Sequence, residues 1–478
     1  MIWHIAEPVR SIASLVQRVL GIVRWRKFDV TTAEGRSQER YRRVALTAVA
    51  SAGAKIVAIV TMLITIPLTL RYLGTERYGM WMTINSIVAM MGFADLGMGL
   101  GVMNAVSEAH GMEDRQAAVR YVSSGFFMLS AVALLMLLCF AVLYPLIPWQ
   151  EVFNVKSPQA IREAGPAMAV FVACFLVNLP LGIVQQVQLG YQEGFVNSLW
   201  ESAGKVLGLV GLLLVIYLQA GLAWLVLAVA GAPVMAWLFN SISLYGFSRP
   251  WLRPRLWNYH GASARKVLYT GLFFFILQMG VVLIYGSDNL IITQFLGPAE
   301  VTQYAIPYQM FNLCLFVFNI MIAPLWPAYA EALARGDMNW VKKTLGRSLK
   351  LILLSTGPIA IFLIIFGNQI LHLWVGPKIN PPLLLSIGLG IWMVVLPFGS
   401  AMSILLNAAN IFRFQIIFIS LTLIFSIIFK CFFIYYYKLP GIIWGTILAY
   451  VIFFLVPYSI FIHKVLFKER NSDAVSNV

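Results

Sequence analysis

From residue 44 to residue 462, apolar stretches of about twenty residues follow one another with little between them. Twelve can be marked: 44–70, 79–106, 121–146, 166–185, 199–218, 221–239, 267–293, 303–328, 348–366, 383–406, 414–436 and 442–462. Each is long enough for a helix to cross about 30 Å of hydrocarbon. In lipid, only helices and closed barrels satisfy their own backbone hydrogen bonds. Barrel strands alternate in polarity over about ten residues, whereas these runs are continuous and about twice that length. Only 11% of the residues are charged, where a soluble domain carries roughly a quarter. The chain therefore reads as an all-α integral membrane protein with twelve transmembrane helices.

A hairpin near the start recurs in the middle. Arg71-Tyr72-Leu73-Gly74 returns as Gln294-Phe295-Leu296-Gly297, a shift of 223 residues, and Glu108-Ala109 returns as Glu331-Ala332 at the same shift. A constant shift across more than thirty residues points to a duplicated bundle. The expected organisation is a basic cytoplasmic segment 1–43, an N-lobe 44–239, a basic inter-lobe loop 240–266, a C-lobe 267–462 and a tail 463–478. Six spans return the chain to its starting side, so the two six-helix lobes form a parallel repeat. Its pseudo-twofold axis runs along the membrane normal, leaving a cleft between the lobes.

The formal charge of +15 raises nucleic acid as a partner, but the distribution of Lys and Arg argues against it. With the N-terminus inside, 25 of the 34 lie on that side, six on the other and three within spans. The positive-inside rule then places both termini in the cytoplasm. In 1–43, Val9, Ile12, Leu15, Val16, Val19, Leu20 and Val23 recur at helical spacing, as in a helix lying on the inner membrane surface. A basic tail that enforces topology is the alternative reading.

Polar groups within the spans mark candidate sites. Ser51, Lys55, Ala58, Met62, Thr65 and Thr69 share a helical face, and a lysine deep in the bilayer needs water, a partner or a ligand. Lys55 is therefore a candidate cavity cation, with a structural ion pair as the alternative, and Lys205 is a second candidate. Asp95, in Asp95-Leu96-Gly97-Met98-Gly99-Leu100-Gly101, and Asp288 are candidates for a coupling proton or sodium, or for partners of buried lysines. Asp288 and Lys430 both lie near the outer ends of their spans, where Asp288 can reach the interface and Lys430 can snorkel. The shift of 223 carries Lys55 onto Gln278. Gln185, Gln188, Gln192, Gln278 and Asn407 offer amides suited to sugar hydroxyls, although helix ends attract such residues for other reasons. Cys139, Cys174, Cys314 and Cys431 lie within spans without metal-ligand spacing and read as buried apolar residues. There is no phosphate-binding loop, and the longest outer loops, 147–165 and 367–382, hold few acids or bases. An enzyme and a bound cofactor are not expected.

Pro67-Leu68-Thr69-Leu70-Arg71-Tyr72-Leu73-Gly74-Thr75-Glu76-Arg77-Tyr78-Gly79-Met80-Trp81, followed by Phe93-Ala94-Asp95-Leu96-Gly97-Met98-Gly99, resembles the O-antigen/polysaccharide flippases. These belong to the multidrug/oligosaccharidyl-lipid/polysaccharide exporter superfamily. Weaker signals are Phe295-Leu296-Gly297 and Trp374-Val375-Gly376; residues 1–43 fall outside the resemblance. It implies movement of a polyprenyl-pyrophosphate-linked oligosaccharide from the cytoplasmic to the periplasmic leaflet of a bacterial inner membrane. Lys55 and Lys205 would then face the pyrophosphate, and a polysaccharide polymerase and chain-length proteins would be partners besides membrane lipids. Alternatives are a drug/cation antiporter of the same superfamily, served by Asp95 and Asp288, and a non-transporting scaffold of a glycan assembly complex. A major-facilitator transporter is disfavoured, because Gly111-Met112-Glu113-Asp114-Arg115-Gln116-Ala117 has the wrong spacing for that signature.

Overall fold

The computed structural model describes residues 33–322, 325, 329, 332–333, 336–409 and 411–464. The expected tail 463–478 and the basic segment 1–43 thus lie largely outside the described residues, as does the side chain of Gln278.

Every regular element among the described residues is helical. The principal helices are α1 (Ala33–Met91), α2 (Met98–Gly111), α3 (Arg115–Leu143), α4 (Pro158–Leu181), α5 (Ile183–Gly190), α6 (Gly194–Tyr217) and α7 (Leu222–Ile242). They continue as α8 (Gly261–Leu296), α9 (Pro298–Ile322), α10 (Met338–Val375), α11 (Leu383–Ala408), α12 (Phe412–Tyr437) and α13 (Pro440–Tyr450). Nine helices among the described residues are long and apolar enough to cross a membrane. Leu134, Leu135, Leu138, Leu354, Ile361 and Phe362 all point outward, exposed, as side chains solvated by lipid do. This is a multi-pass membrane protein.

Helix α1 runs through what hydropathy divides into two spans, turning at Gly74 with φ 73° and ψ 176°. Between α8 and α9 the chain turns at Gly297, with φ 95°. Both glycines close a leucine-glycine pair and occupy backbone conformations that a Cβ disfavours. The second expected span is itself broken. A 3-10 turn covers Gly92–Asp95, Leu96 and Gly97 have φ of 48° and 70°, and α2 starts afresh at Met98.

The chain packs into two compact units. The first comprises the described residues of Met1–Thr65, with Ala94–Leu143 and Ala169–Phe274; the second comprises Ile66–Phe93, Tyr144–Met168 and the described residues of Phe275–Val478. The first unit is built on Met98, Val102, Val106, Val122, Leu129, Val187 and Leu252. In it, Gly204, Gly208 and Gly211 of α6 lie against Ala236, Ala232 and Ala228 of α7, the small-residue contact through which helices approach in lipid. In the second unit, Gly441 and Gly445 bring α13 against the backbone of α12 at Phe433 and Lys430. Trp392 of α11 meets Tyr450 edge-on at 5.1 Å, and Tyr450, Phe454 and Tyr458 stack in series.

The cysteines depart from the expectation of burial: Cys139 is exposed, Cys174 and Cys431 are partly exposed, and all three are free thiols. Cys139 sits on α3 near exposed Leu135, Leu137 and Leu138, where a thiol serves as another apolar surface group.

Candidate functional site

In the first unit, two hydrogen bonds set α1 beside α6. The Phe195 N–H donates to Thr47 Oγ1 at 3.1 Å, and Ser51 Oγ and Ser198 Oγ share a bond of 3.0 Å. Both bonds lie in the first turns of α6. Lys55 lies one turn beyond Ser51 and Lys205 two turns beyond Ser198, so each shares the face of its own contact serine. Lys55 is half-buried. Lys205 pairs with Glu201 at 3.2 Å, both side chains substantially exposed at 36% and 50%.

A second polar group of the first unit gathers around Gly99. Asp95 Oδ1 accepts from the Gly97 N–H at 2.8 Å, and a Cβ at Gly99 would touch both Asp95 and Gln186. Asn197 Nδ2 donates to the Gln185 carbonyl at 3.0 Å. The side-chain oxygens of Gln186 and Asn197 are buried without a hydrogen-bond partner, and such acceptors favour a donor-bearing ligand or water. The structure gives the other amides different places. Gln185 is half-buried and Gln192 is exposed at the end of α5. Gln188 forms a reciprocal amide pair with Asn240, 2.7 and 2.9 Å; both are buried, so this amide is spent on packing rather than presented to a sugar. At the connection that follows α7, Arg249 forms a two-pronged pair with Glu193 at 2.7 and 2.8 Å and lies 4.2 Å over the Tyr191 ring. Burial lifts the Tyr191 hydroxyl above its ordinary pKa against the lowering pull of Arg249.

The second unit holds a buried charge network. Lys430 is fully buried and pairs with Asp288 at 2.6 Å. Its ammonium also donates to the Ile284 carbonyl at 2.5 Å and to Ser287 Oγ at 3.2 Å, while the Tyr304 hydroxyl donates to Asp288 at 2.7 Å. The expectation that Lys430 snorkels is thus corrected, and Asp288 is buried rather than interfacial. Close approach of α12 to α13 at Gly445 walls the lysine in, and nothing in local hydropathy announces that. In the same unit Asn407 accepts from Gln415 Nε2 at 2.9 Å.

The Gly74–Gly297 end of the second unit is interlocked. A Cβ at Gly79 would overlap the Pro298 carbonyl, which gives Tyr78-Gly79-Met80-Trp81 a physical reason for its glycine. Thr302 Oγ1 donates to the Thr75 carbonyl at 2.7 Å, and the Thr83 and Thr293 hydroxyls share a bond of 2.6 Å. Asn289 Nδ2 donates to Ser86 Oγ at 2.9 Å. The 149–157 connection closes over this end, with Asn154 Nδ2 donating to the Thr293 carbonyl at 3.0 Å and Gln294 Nε2 to the Val152 carbonyl at 2.6 Å. Arg77 and Glu163 form a two-pronged ion pair of 2.6 and 2.8 Å. Sequence reading missed this interlock because its partners are 86 to 227 residues apart.

The described residues thus form an all-helical membrane fold with charge held in ion pairs and polar clusters. Solved structures agree. The inward-facing conformation of a multidrug resistance MATE family transporter of the MOP superfamily matches with a TM-score of 0.74 at 16% identity, over 87% of this chain and 99% of that one. The outward-facing conformation matches with a TM-score of 0.58 at 14% identity, over 86% and 95%. The family model for polysaccharide biosynthesis proteins matches residues 44–333, and the chain belongs to that family. A putative O-antigen transporter of Salmonella typhimurium (strain LT2) is 23% identical over 412 residues, 84% of this chain and 91% of that protein. A putative O-antigen export protein of Yersinia pseudotuberculosis is 22% identical over 297 residues, 60% of this chain and 65% of that protein. Family and fold are those of transporters, not enzymes.

Proposed function

We propose that this protein is a flippase. It moves a polyprenyl-pyrophosphate-linked oligosaccharide from the cytoplasmic to the periplasmic leaflet of a bacterial inner membrane, for surface polysaccharide synthesis. Its twelve helices form two six-helix lobes, 44–239 and 267–462, joined by 240–266, with both termini cytoplasmic. The names of its relatives, O-antigen transporter and O-antigen export protein, support a glycan of the O-antigen kind as cargo, and its polyprenyl-pyrophosphate link is part of the proposal. The observation that carries the reading is the contact of α1 with α6 at Thr47–Phe195 and Ser51–Ser198, with Lys55 one turn and Lys205 two turns further along the contact face of its own helix. Two cations so placed, neither buried, suit the two charges of a pyrophosphate in a low-dielectric cleft. The unpartnered acceptors of Gln186 and Asn197, with Gln185, suit sugar hydroxyls; Gln192, Gln278 and Asn407 are further contacts. Asp95 is the carboxylate for proton or sodium coupling. Asp288 already holds Lys430, which weakens its case for that role. For release on the outer side, the interlock at Gly79–Pro298 and Thr83–Thr293 must part. A polymerase and chain-length proteins would take the product.

The test is translocation of lipid-linked glycan at matched protein levels. Lys55→Gln and Lys205→Gln are expected to leave glycan on the cytoplasmic leaflet, and Lys55→Arg to retain more activity than Lys55→Gln. Normal translocation by the double glutamine variant would remove the lysines from the headgroup site. Intact surface glycan in a deletion strain that has lost resistance to cationic drugs would replace the flippase with the antiporter.

A further inference from the structure

Beyond α7 the chain does not enter a free loop. Residues 243–248 form a wide π-helical turn, and 249–260 then cross α3 as a fixed strap. Leu252 is fully buried in the core of the first unit. The N–H groups of Arg255 and His260 donate to Ser123 Oγ and Ser124 Oγ at 3.3 and 3.1 Å, and Ser124 Oγ returns a bond to the His260 carbonyl at 3.3 Å. Around this anchored strap large side chains stand exposed: Phe247 81%, Trp257 77% and Leu256 67%. Arg255 lies 5.5 Å over the Trp257 ring, and Arg115 lies 5.5 Å over Trp251. Aromatic rings interleaved with arginines mark the headgroup layer of a bilayer.

Beneath the strap is a cavity of about 400 Å³ lined by both apolar and polar groups. Phe126, Leu181 and Ile242 form the apolar wall, and Tyr245 and Arg253 line the cavity beside them. The Tyr245 hydroxyl oxygen is buried with no hydrogen-bond partner. Arg253 is exposed and enters no ion pair among the described residues. The buried hydroxyl lacks an acceptor and the exposed guanidinium offers a charged donor beside an apolar wall, so together they favour an anionic acceptor attached to an apolar chain. We propose that this cavity binds an anionic phospholipid, its headgroup phosphate at Arg253 and Tyr245 and one acyl chain along Phe126, Leu181 and Ile242. The site lies apart from Lys55 and Lys205 in sequence and does not depend on what the protein transports. The basic segment 1–32 carries the wrong charge to fill it.

Binding is measured on the full chain in phosphatidylcholine nanodiscs, by titrating phosphatidylglycerol and following retained lipid by native mass spectrometry. Wild type is expected to keep phosphatidylglycerol over phosphatidylcholine. Arg253→Gln should weaken retention about tenfold, and Tyr245→Phe by a smaller factor without loss of thermal stability, since it removes an unsatisfied hydroxyl. Lys343→Gln, which removes the same charge elsewhere, should retain lipid as wild type does. Equal losses in Arg253→Gln and Lys343→Gln would reduce the effect to bulk electrostatics and overturn the site, as would wild-type retention by Arg253→Gln. Preference for a polyprenyl phosphate over phosphatidylglycerol in a parallel titration would assign the cavity to the carrier and overturn the phospholipid.

Discussion

Lys430 in the second unit and Lys205 in the first are the same residue on helices of similar apolarity, yet their surroundings are opposite. Lys430 is fully buried, with Asp288, Ser287 and the Ile284 carbonyl around its ammonium. Lys205 has one neighbour, Glu201, one turn back on its own helix at 3.2 Å and largely exposed. A buried pair is costly to break because removing one partner strands the other charge in a low dielectric. An exposed (i, i+4) pair contributes only a few tenths of a kcal/mol. The first cation is therefore committed to the fold, and the second is free to exchange its partner for a ligand.

The largest expected effect follows from that contrast. Lys430→Met should destabilise the protein by about 3–5 kcal/mol, the range for an orphaned buried charge, read as a fall in thermal unfolding temperature in detergent and in membrane abundance. Adding Asp288→Asn removes the orphaned charge and should restore most of the loss. A single variant as stable as wild type would break the comparison, because Lys430 would then be no more committed than Lys205.

Gly79→Ala probes the second unit without touching a charge. The added Cβ overlaps the Pro298 carbonyl, and backbone has no rotamer with which to yield, so a loss of about 1–3 kcal/mol is expected, as for other overpacked contacts. Gly53 has open space where its Cβ would stand, and Gly53→Ala is the matched control, near neutral or slightly stabilising in a helix. Equal behaviour of the two would mean that the interlocked end yields freely.

These contrasts were unevenly legible in the sequence. Helix class and membrane residence follow from continuous apolar runs, because lipid enforces one local solution wherever such a run occurs. The turns at Gly74 and Gly297 were visible as a recurring leucine-glycine, since a positive φ selects glycine locally. The break at Asp95-Leu96-Gly97 left only the glycines at 97, 99 and 101 as a local sign. Whether a lysine snorkels, pairs or stands open was not legible at all. Lys430 is decided by Ile284 and Asp288, more than 140 residues away in the chain, and by the small residue that lets α13 close against α12. Gln188 and Asn240 could not be matched for the same reason, as a pair 52 residues apart leaves no local trace. Depth in the span distinguished Lys205 from Lys430 in sequence, but only packing reveals that Lys430 is the buried, paired one.

The smallest expected effect on stability is the most informative about function. Lys205→Gln removes an exposed pair and should change unfolding stability by less than about 0.5 kcal/mol, with normal abundance. On the flippase reading the same variant loses translocation, because what it removes is a headgroup contact rather than a support of the fold. Reversing the pair as Glu201→Lys with Lys205→Glu keeps the (i, i+4) attraction but moves the cation about 6 Å along the helix and puts a carboxylate where the cation stood. Stability should again be unchanged, and translocation should stay low, measured by leaflet-specific detection of lipid-linked glycan. If the reversed pair translocates as well as wild type, a cation anywhere on that face suffices, and position 205 does not itself hold a pyrophosphate. If Lys205→Gln instead unfolds the protein, Lys205 belongs with Lys430 among the structural charges.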